Sequence, residues 1–181
     1  MNFIEIYDDA LSSEKCDELI DYFNNNPKMK GVVGGNMVVP SKKKSTELKN
    51  SVFSLHQLPF QLISSTLQEY TDKYVKKYSL LKHMEKWGVD DGFTLKKFEG
   101  EDEGFKSWHT EHCMTFPKRL LVWMFYLNDA QSGTEFHYYP NIESKQGRLV
   151  IWPAGWTHFH KGVTPNKGVK YIMSGWYSLM E

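Results

Sequence analysis

Cysteine is nearly absent from this chain: Cys16 and Cys113 are its two, far apart and in no Cys-x-x-Cys pair. That count excludes a disulfide framework and a thiolate zinc site. Excess charge is lacking as well. Twenty-two basic residues balance 22 acidic ones, leaving a formal net charge of +0 and no electrostatic footprint for nucleic acid or an anionic membrane. No run approaches the roughly 18 apolar residues of a spanning helix. The opening "MNFIEIYDDALSSEKCDEL" carries acids early and has no apolar core of a secretion signal. These absences predict a soluble cytoplasmic protein with no nucleic-acid and no membrane partner.

Aromatic bulk is what the chain has. Six Trp, ten Tyr and eleven Phe among 181 residues argue for a folded body whose walls can line a pocket. The length suits a single domain over residues 1–181. Its first part, 1–92, reads as mainly helical support. After a short strand in "NFIEIYDD", Ser12 can cap a helix with Cys16, Leu19, Ile20 and Phe23 on its apolar side, stopped by Asn24 to Pro27. The stretch 28–51 is rich in Gly, Lys and Ser and reads as a loop or irregular hairpin. A longer helix is predicted through "PFQLISSTLQEYTDKYVKKYSLL", with Ile63, Leu67, Tyr70 and Tyr74 at helical spacing as core packing.

From Phe93 the pattern changes to short apolar runs bounded by turn residues: "FTLKKF", "FKSWHTE", "RLLVWMFYLND", "TEFHYY", "GRLVIWP", "THFHKGV" and "VKYIMSGWYSL". About seven strands after a helical opening predict an α+β, mainly β fold, an antiparallel sandwich or jelly roll occupying 93–181.

Two segments carry metal-ligand chemistry. In "WHTEH", His109 and Glu111 stand two apart, and on a strand both would project to one face. In "WTHFHKGVTPNKGVKY" the same holds for His158 and His160, and direction alone leaves both histidines open. A third ligand joining His109 and Glu111 would complete a 2-His-1-carboxylate set, which suits Fe(II) and leaves positions free for substrate and dioxygen.

The order of these signals resembles the Fe(II)/2-oxoglutarate-dependent oxygenases, and within them the prolyl 4-hydroxylase branch with its compact bacteriophage versions. The resemblance covers roughly Phe93 to Tyr177. It implies a double-stranded β-helix with supporting N-terminal helices, and Fe(II) and 2-oxoglutarate as cofactors, with ascorbate as an optional reductant. His109 and Glu111 match the family's H-x-D/E pair. The family's distal histidine stands ten before a basic residue in an H-x-G then G-x-K pattern, which His160, Gly162, Gly168 and Lys170 fit; His158 falls out of that register. The resemblance therefore implies His160 as third metal ligand and Lys170 as the cation that receives the far carboxylate of 2-oxoglutarate. It further implies Tyr126 as a second contact to that carboxylate and Trp176 as a wall of the substrate pocket.

The implied activity is hydroxylation of an unactivated C–H bond, most readily a peptidyl proline in a protein or peptide partner, with succinate and carbon dioxide as co-products. In a phage-encoded protein this would take place in the host cytoplasm. The alternatives are the same mechanism on a free amino acid, another residue or a small metabolite, a cupin-like metal enzyme, or a non-catalytic jelly-roll binding module. Three positions depart from the branch: Glu111 stands where aspartate is usual, Phe98 where a tyrosine is common, and Val122 where threonine often occurs.

Overall fold

The structure, a computed structural model, describes residues 1–33, 37–51 and 56–181, apart from the side chains of Asp90 and Asp91. In chain order the elements are β1 (Glu5–Tyr7), α1 (Ser13–Asn25), β2 (Met29–Lys30), β3 (Lys43–Lys44), β4 (Thr46–Asn50), α2 (Leu58–Lys77) and β5 (Trp87–Glu99). They continue with β6 (Gly104–Phe105), β7 (Arg119–Tyr126), β8 (Ala130–Phe136), β9 (Ile142–Ser144), β10 (Leu149–Pro153), β11 (His160–Val163) and β12 (Val169–Leu179). Every pairing between them is antiparallel. The main sheet runs β1-β10-β7-β12-β5-β4-β2, a second sheet β11-β8-β9, and β3 pairs with β6. This is the expected jelly roll, a double-stranded β-helix with two helices laid against it.

The helices follow their sequence signals. Ser12 caps α1, its hydroxyl accepting from the Lys15 N–H, and Cys16, Leu19 and Phe23 are buried on one face. Pro59 opens α2, whose positions Ile63, Leu67, Thr71 and Tyr74 face the sheet. The predicted helix overruns at its end, because 79–83 tighten into a 3-10 turn.

Strand alternation decides which side chains meet the helices and which meet the second sheet. On β7, Trp123 and Phe125 join the helix-side core, while Val122, Met124 and Tyr126 point between the sheets. On β10, Leu149 and Ile151 take the first side, and Val150 and Trp152 the second. Each large apolar side chain buried this way contributes about 1.5–3 kcal/mol. Gly175 on β12 is required to be small, since a Cβ there would run into the Trp123 indole. The between-sheet face is where the chemistry collects.

Three local readings need correction. The stretch 28–51 is not only a loop or hairpin: Thr46–Asn50 pairs with β5 and extends the main sheet, so the N-terminal half contributes strands to both flanks as well as helices. Residues 34–36 of that stretch lie outside the described residues. The predicted strand "FKSWHTE" holds regular pairing only at β6; beyond it the chain is irregular up to β7, and His109 sits in an isolated bridge opposite His160. The predicted strand "THFHKGV" begins with a 3-10 turn at Trp156–His158 and is extended only from His160.

Candidate active site

The candidate ligands His109 and His160 are brought together by the backbone. Each donates its N–H to the other's carbonyl at 3.0 Å, so the bridge fixes both Cα positions. Glu111 is placed by its own N–H, which donates to the Ala154 carbonyl at 3.2 Å at the end of β10. Ligand atoms of His109, Glu111 and His160 then lie within 4.8 Å of one another. His109 Nε2 is 3.5 Å and His160 Nε2 is 3.7 Å from the same oxygen, Glu111 Oε1.

Second partners set the tautomers. Nδ1 of His109 lies 2.9 Å from the Ser107 carbonyl, and Nδ1 of His160 lies 2.9 Å from the His158 carbonyl. A carbonyl can only accept, so each Nδ1 carries the hydrogen and each Nε2 presents a lone pair to the centre. Burial and the neighbouring His160 hold His109 below the usual histidine range, favouring the neutral ring. Glu111 stays in the carboxylate form, held well below the ordinary range despite its burial, with the Arg119 guanidinium 3.0 Å from Oε2. Three electron-pair donors thus face one point with no hydrogen between them. A cation resolves that arrangement, and imidazole with carboxylate suits Fe(II).

His158 does something else. Its Nε2 donates to the Asn2 carbonyl at 2.8 Å, its Nδ1 accepts from the Thr157 hydroxyl at 2.9 Å, and its ring stacks on Tyr139. It ties the N-terminus to the 3-10 turn and points away from the ligand cluster. The same-face geometry that left both histidines open presupposes a strand through 158, and the turn removes it.

The cavity beside the ligands is walled by Phe98, Val122, Met124, Tyr126, Trp152 and Ile172, and Lys170 lies at its lining. Lys170 is only 2% exposed, and its ammonium donates to the carbonyls of Val163 at 2.7 Å and Gly133 at 3.1 Å. Burial, with repulsion from Lys96, pushes it down to about 7. The Tyr126 hydroxyl is 2.7 Å from that of Thr134 on β8, which lines the same cavity. A buried ammonium held only by neutral carbonyls is able to receive a carboxylate. Phe98 and Val122, the departures from the branch, leave this end apolar; the Phe98 ring lies 4.9 Å from the Lys170 ammonium.

Sequence reasoning missed several members. Arg119, the first residue of β7, donates to Glu111 Oε2 at 3.0 Å, and its guanidinium is sandwiched between Phe116 and Trp176, 3.7 and 3.5 Å from the ring centroids. Trp176 therefore meets the site through Arg119 and is not among the residues lining the cavity itself. This clamp also accounts for the longer arm of Glu111: one oxygen faces the histidines and the other is held by Arg119. Phe105 stacks on the His109 ring with centroids 3.6 Å apart. Lys96, on β5, reaches the cavity next to Ser174. No motif spacing marks these three; a long-range pairing places each.

Fold and donor geometry fit a non-haem iron oxygenase site of the facial-triad type. Residues 93–178 match the model of the 2OG-Fe(II) oxygenase superfamily, and this match over the ligand-bearing stretch supports a 2-oxoglutarate-dependent dioxygenase. No curated protein matches it in sequence. Among solved structures it is similar to the viral collagen prolyl hydroxylase of Paramecium bursaria Chlorella virus-1 in complex with 2-oxoglutarate, at 18% identity and TM-score 0.70, covering 99% of this chain and 97% of that one. It also resembles a Trichoplax adhaerens prolyl hydroxylase in complex with a hypoxia-inducible-factor peptide, at 14% identity and TM-score 0.77, covering 99% and 84%. A Pseudomonas putida prolyl 4-hydroxylase aligns at 10% identity and TM-score 0.75, covering 98% and 94%. At such identities the structural likeness speaks for the fold.

Proposed function

We propose that this chain, acting as one cytoplasmic domain, hydroxylates an unactivated C–H bond of a peptidyl proline and releases succinate and carbon dioxide. The observation that carries the proposal is the pairing, in one cavity, of three convergent lone-pair donors with a buried ammonium that has no carboxylate partner among the described residues. A cupin-like metal enzyme has no use for that ammonium, and a binding module has no use for the ligand cluster. The choice of proline rests on the likeness to the prolyl hydroxylases above, one of which holds a peptide.

His109, Glu111 and His160 would hold Fe(II), which when bound with 2-oxoglutarate supplies the oxidation of the C–H bond. The remaining roles fall to side chains of the chain itself. The Lys170 ammonium receives the far carboxylate of the co-substrate, with the Tyr126 hydroxyl beside it, and so sets how far the keto-acid end reaches toward the ligands. Phe98, Met124 and Ile172 exclude water along its stem. Arg119 and Phe105 fix Glu111 and His109, and Trp176 stiffens Arg119 from the substrate side.

The test is conversion of 2-oxoglutarate to succinate by the purified chain with Fe(II) and ascorbate, with mass spectrometry of proline-containing peptides in the same mixture. A gain of one oxygen on proline supports the proposal. Turnover with every proline unmodified would move the activity to another substrate class, and no turnover at all would remove the oxygenase reading.

A further inference from the structure

Among the described residues, Lys96 is the cation lining the cavity that neither the co-substrate nor the metal would match. It lies on β5 opposite Ile172 of β12, two residues from Phe98, which is itself opposite Lys170. Side chains alternate along a strand, so Lys96 and Phe98 share the between-sheet face. Along β12 the same face runs Lys170, Ile172, Ser174, Trp176, leading from the co-substrate end toward the Arg119 stack. The Lys96 ammonium sits at the Ser174 level, donating to its hydroxyl at 2.9 Å, and is 5.9 Å from the Trp176 ring centroid.

Its surroundings offer no countercharge at contact distance. Among the described residues no carboxylate forms an ion pair with Lys96. Glu47, its cross-strand neighbour on β4, attracts it from beyond contact distance, but pairs through Oε1 with the Lys43 ammonium and the Ser45 hydroxyl, its Oε2 making no hydrogen bond. Glu111 is held by Arg119 on one oxygen and faces the histidines with the other. With the site loaded, one carboxylate of 2-oxoglutarate goes to the metal and the other to Lys170. A half-buried ammonium hydrogen-bonded to one hydroxyl then remains on the side away from Lys170, and such a group favours an anion beside it.

On the reading of the site given above, we infer that Lys96 is a specificity-determining residue that recruits a carboxylate of the prime substrate, placed beside the carbon to be hydroxylated. The carboxylate has two sources: the free α-carboxylate of a terminal or single proline, or the side chain of an acidic residue next to it. In either case an uncharged substrate would cover the Lys96 ammonium without answering its charge, which disfavours its binding.

The experiment uses the full chain loaded with Mn(II) and 2-oxoglutarate without oxygen, so that binding is read without turnover, by tryptophan fluorescence and calorimetry. Two probe pairs separate the sources: N-acetylproline against N-acetylprolinamide, and acetyl-Glu-Pro-amide against acetyl-Gln-Pro-amide. The expected result is that one acidic probe binds about tenfold or more tighter than its amide partner. That preference should vanish in Lys96→Met, return in Lys96→Arg, and leave the 2-oxoglutarate affinity within about threefold of the parent. Equal affinities within both pairs, non-binding of all four probes included, overturn the inference. So does a loss of 2-oxoglutarate affinity in Lys96→Met matching that of Lys170→Met, which would assign Lys96 to the co-substrate. Failure of the parent chain to bind 2-oxoglutarate at all would instead strike the oxygenase reading, and is seen before any probe is added.

Discussion

Arg119 holds Glu111: its Nη1 donates to Oε2 at 3.0 Å, while Oε1 of the same carboxylate faces both ligand histidines. The guanidinium is itself immobilised between two aromatic rings. A carboxylate on a longer arm than the branch usually has is thereby restricted to one pose.

Removing that restraint should weaken the metal site without deleting a ligand. Arg119→Ala is expected to lower Mn(II) or Fe(II) affinity by about 10- to 100-fold. Arg119→Lys should recover little of it, since an ammonium neither stacks between rings nor forks onto a carboxylate. Metal titration by calorimetry measures both.

The two neighbouring histidines should separate cleanly. His160→Ala should abolish metal binding and turnover. His158→Ala should keep both and instead lower unfolding stability by about 1–3 kcal/mol, because the Asn2 carbonyl loses its buried donor. Metal titration beside a denaturant melt tells the roles apart; a metal-free His158→Ala with an intact His160→Ala would reverse the assignment.

Lys170→Met should have opposite effects on two measurements. Affinity for 2-oxoglutarate is expected to fall by at least about a hundredfold, given the roughly 3–5 kcal/mol cost of stranding one member of a buried pair. The co-substrate-free protein should melt at a higher temperature than the parent, since a buried ammonium without a countercharge destabilises the empty fold.

The pH dependence follows from the same group. Burial pushes the Lys170 ammonium from 10.5 down to about 7. Between those values the unfolded chain holds a proton that the empty folded site has released, so stability of the co-substrate-free protein rises with pH across that window. Below about 7 both states hold it and the dependence ends. Lys96, lowered by burial to about 8, adds a smaller contribution of the same sign. Co-substrate binding runs the other way, because it needs the charged form: affinity should fall above about pH 7, by at most about tenfold per unit for this group. Thermal melts and 2-oxoglutarate titrations from about pH 6 to pH 9 check both slopes, and Lys170→Met should remove the larger share of each.

Local pattern was enough for the parts that repeat at short range. The cap at Ser12, the buried face of α1 and the inside–outside alternation of "RLLVWMFY" each follow from spacing along one segment, and the structure has them. The spacing of His160 and Lys170 could likewise be read, because β11 and β12 carry both residues inward to one cavity. Thr46–Asn50 escaped notice because it closes a Gly-, Lys- and Ser-rich stretch that resembles a loop, and only pairing with β5 makes it a strand. His158 was ambiguous because period-two reasoning assumes a strand, and the 3-10 turn that diverts its ring is held by contact with Asn2 at the far end of the chain.

The sequence by itself determined which donors exist, how they are spaced and which faces are apolar, since these depend on residues a few positions apart. Only the tertiary structure decided that the His109 backbone pairs with that of His160, that Arg119 clamps Glu111, and that Lys96 ends beside Ser174. Those relationships join segments remote in the chain, and strand pairing and burial, rather than any local preference, set the distances between them.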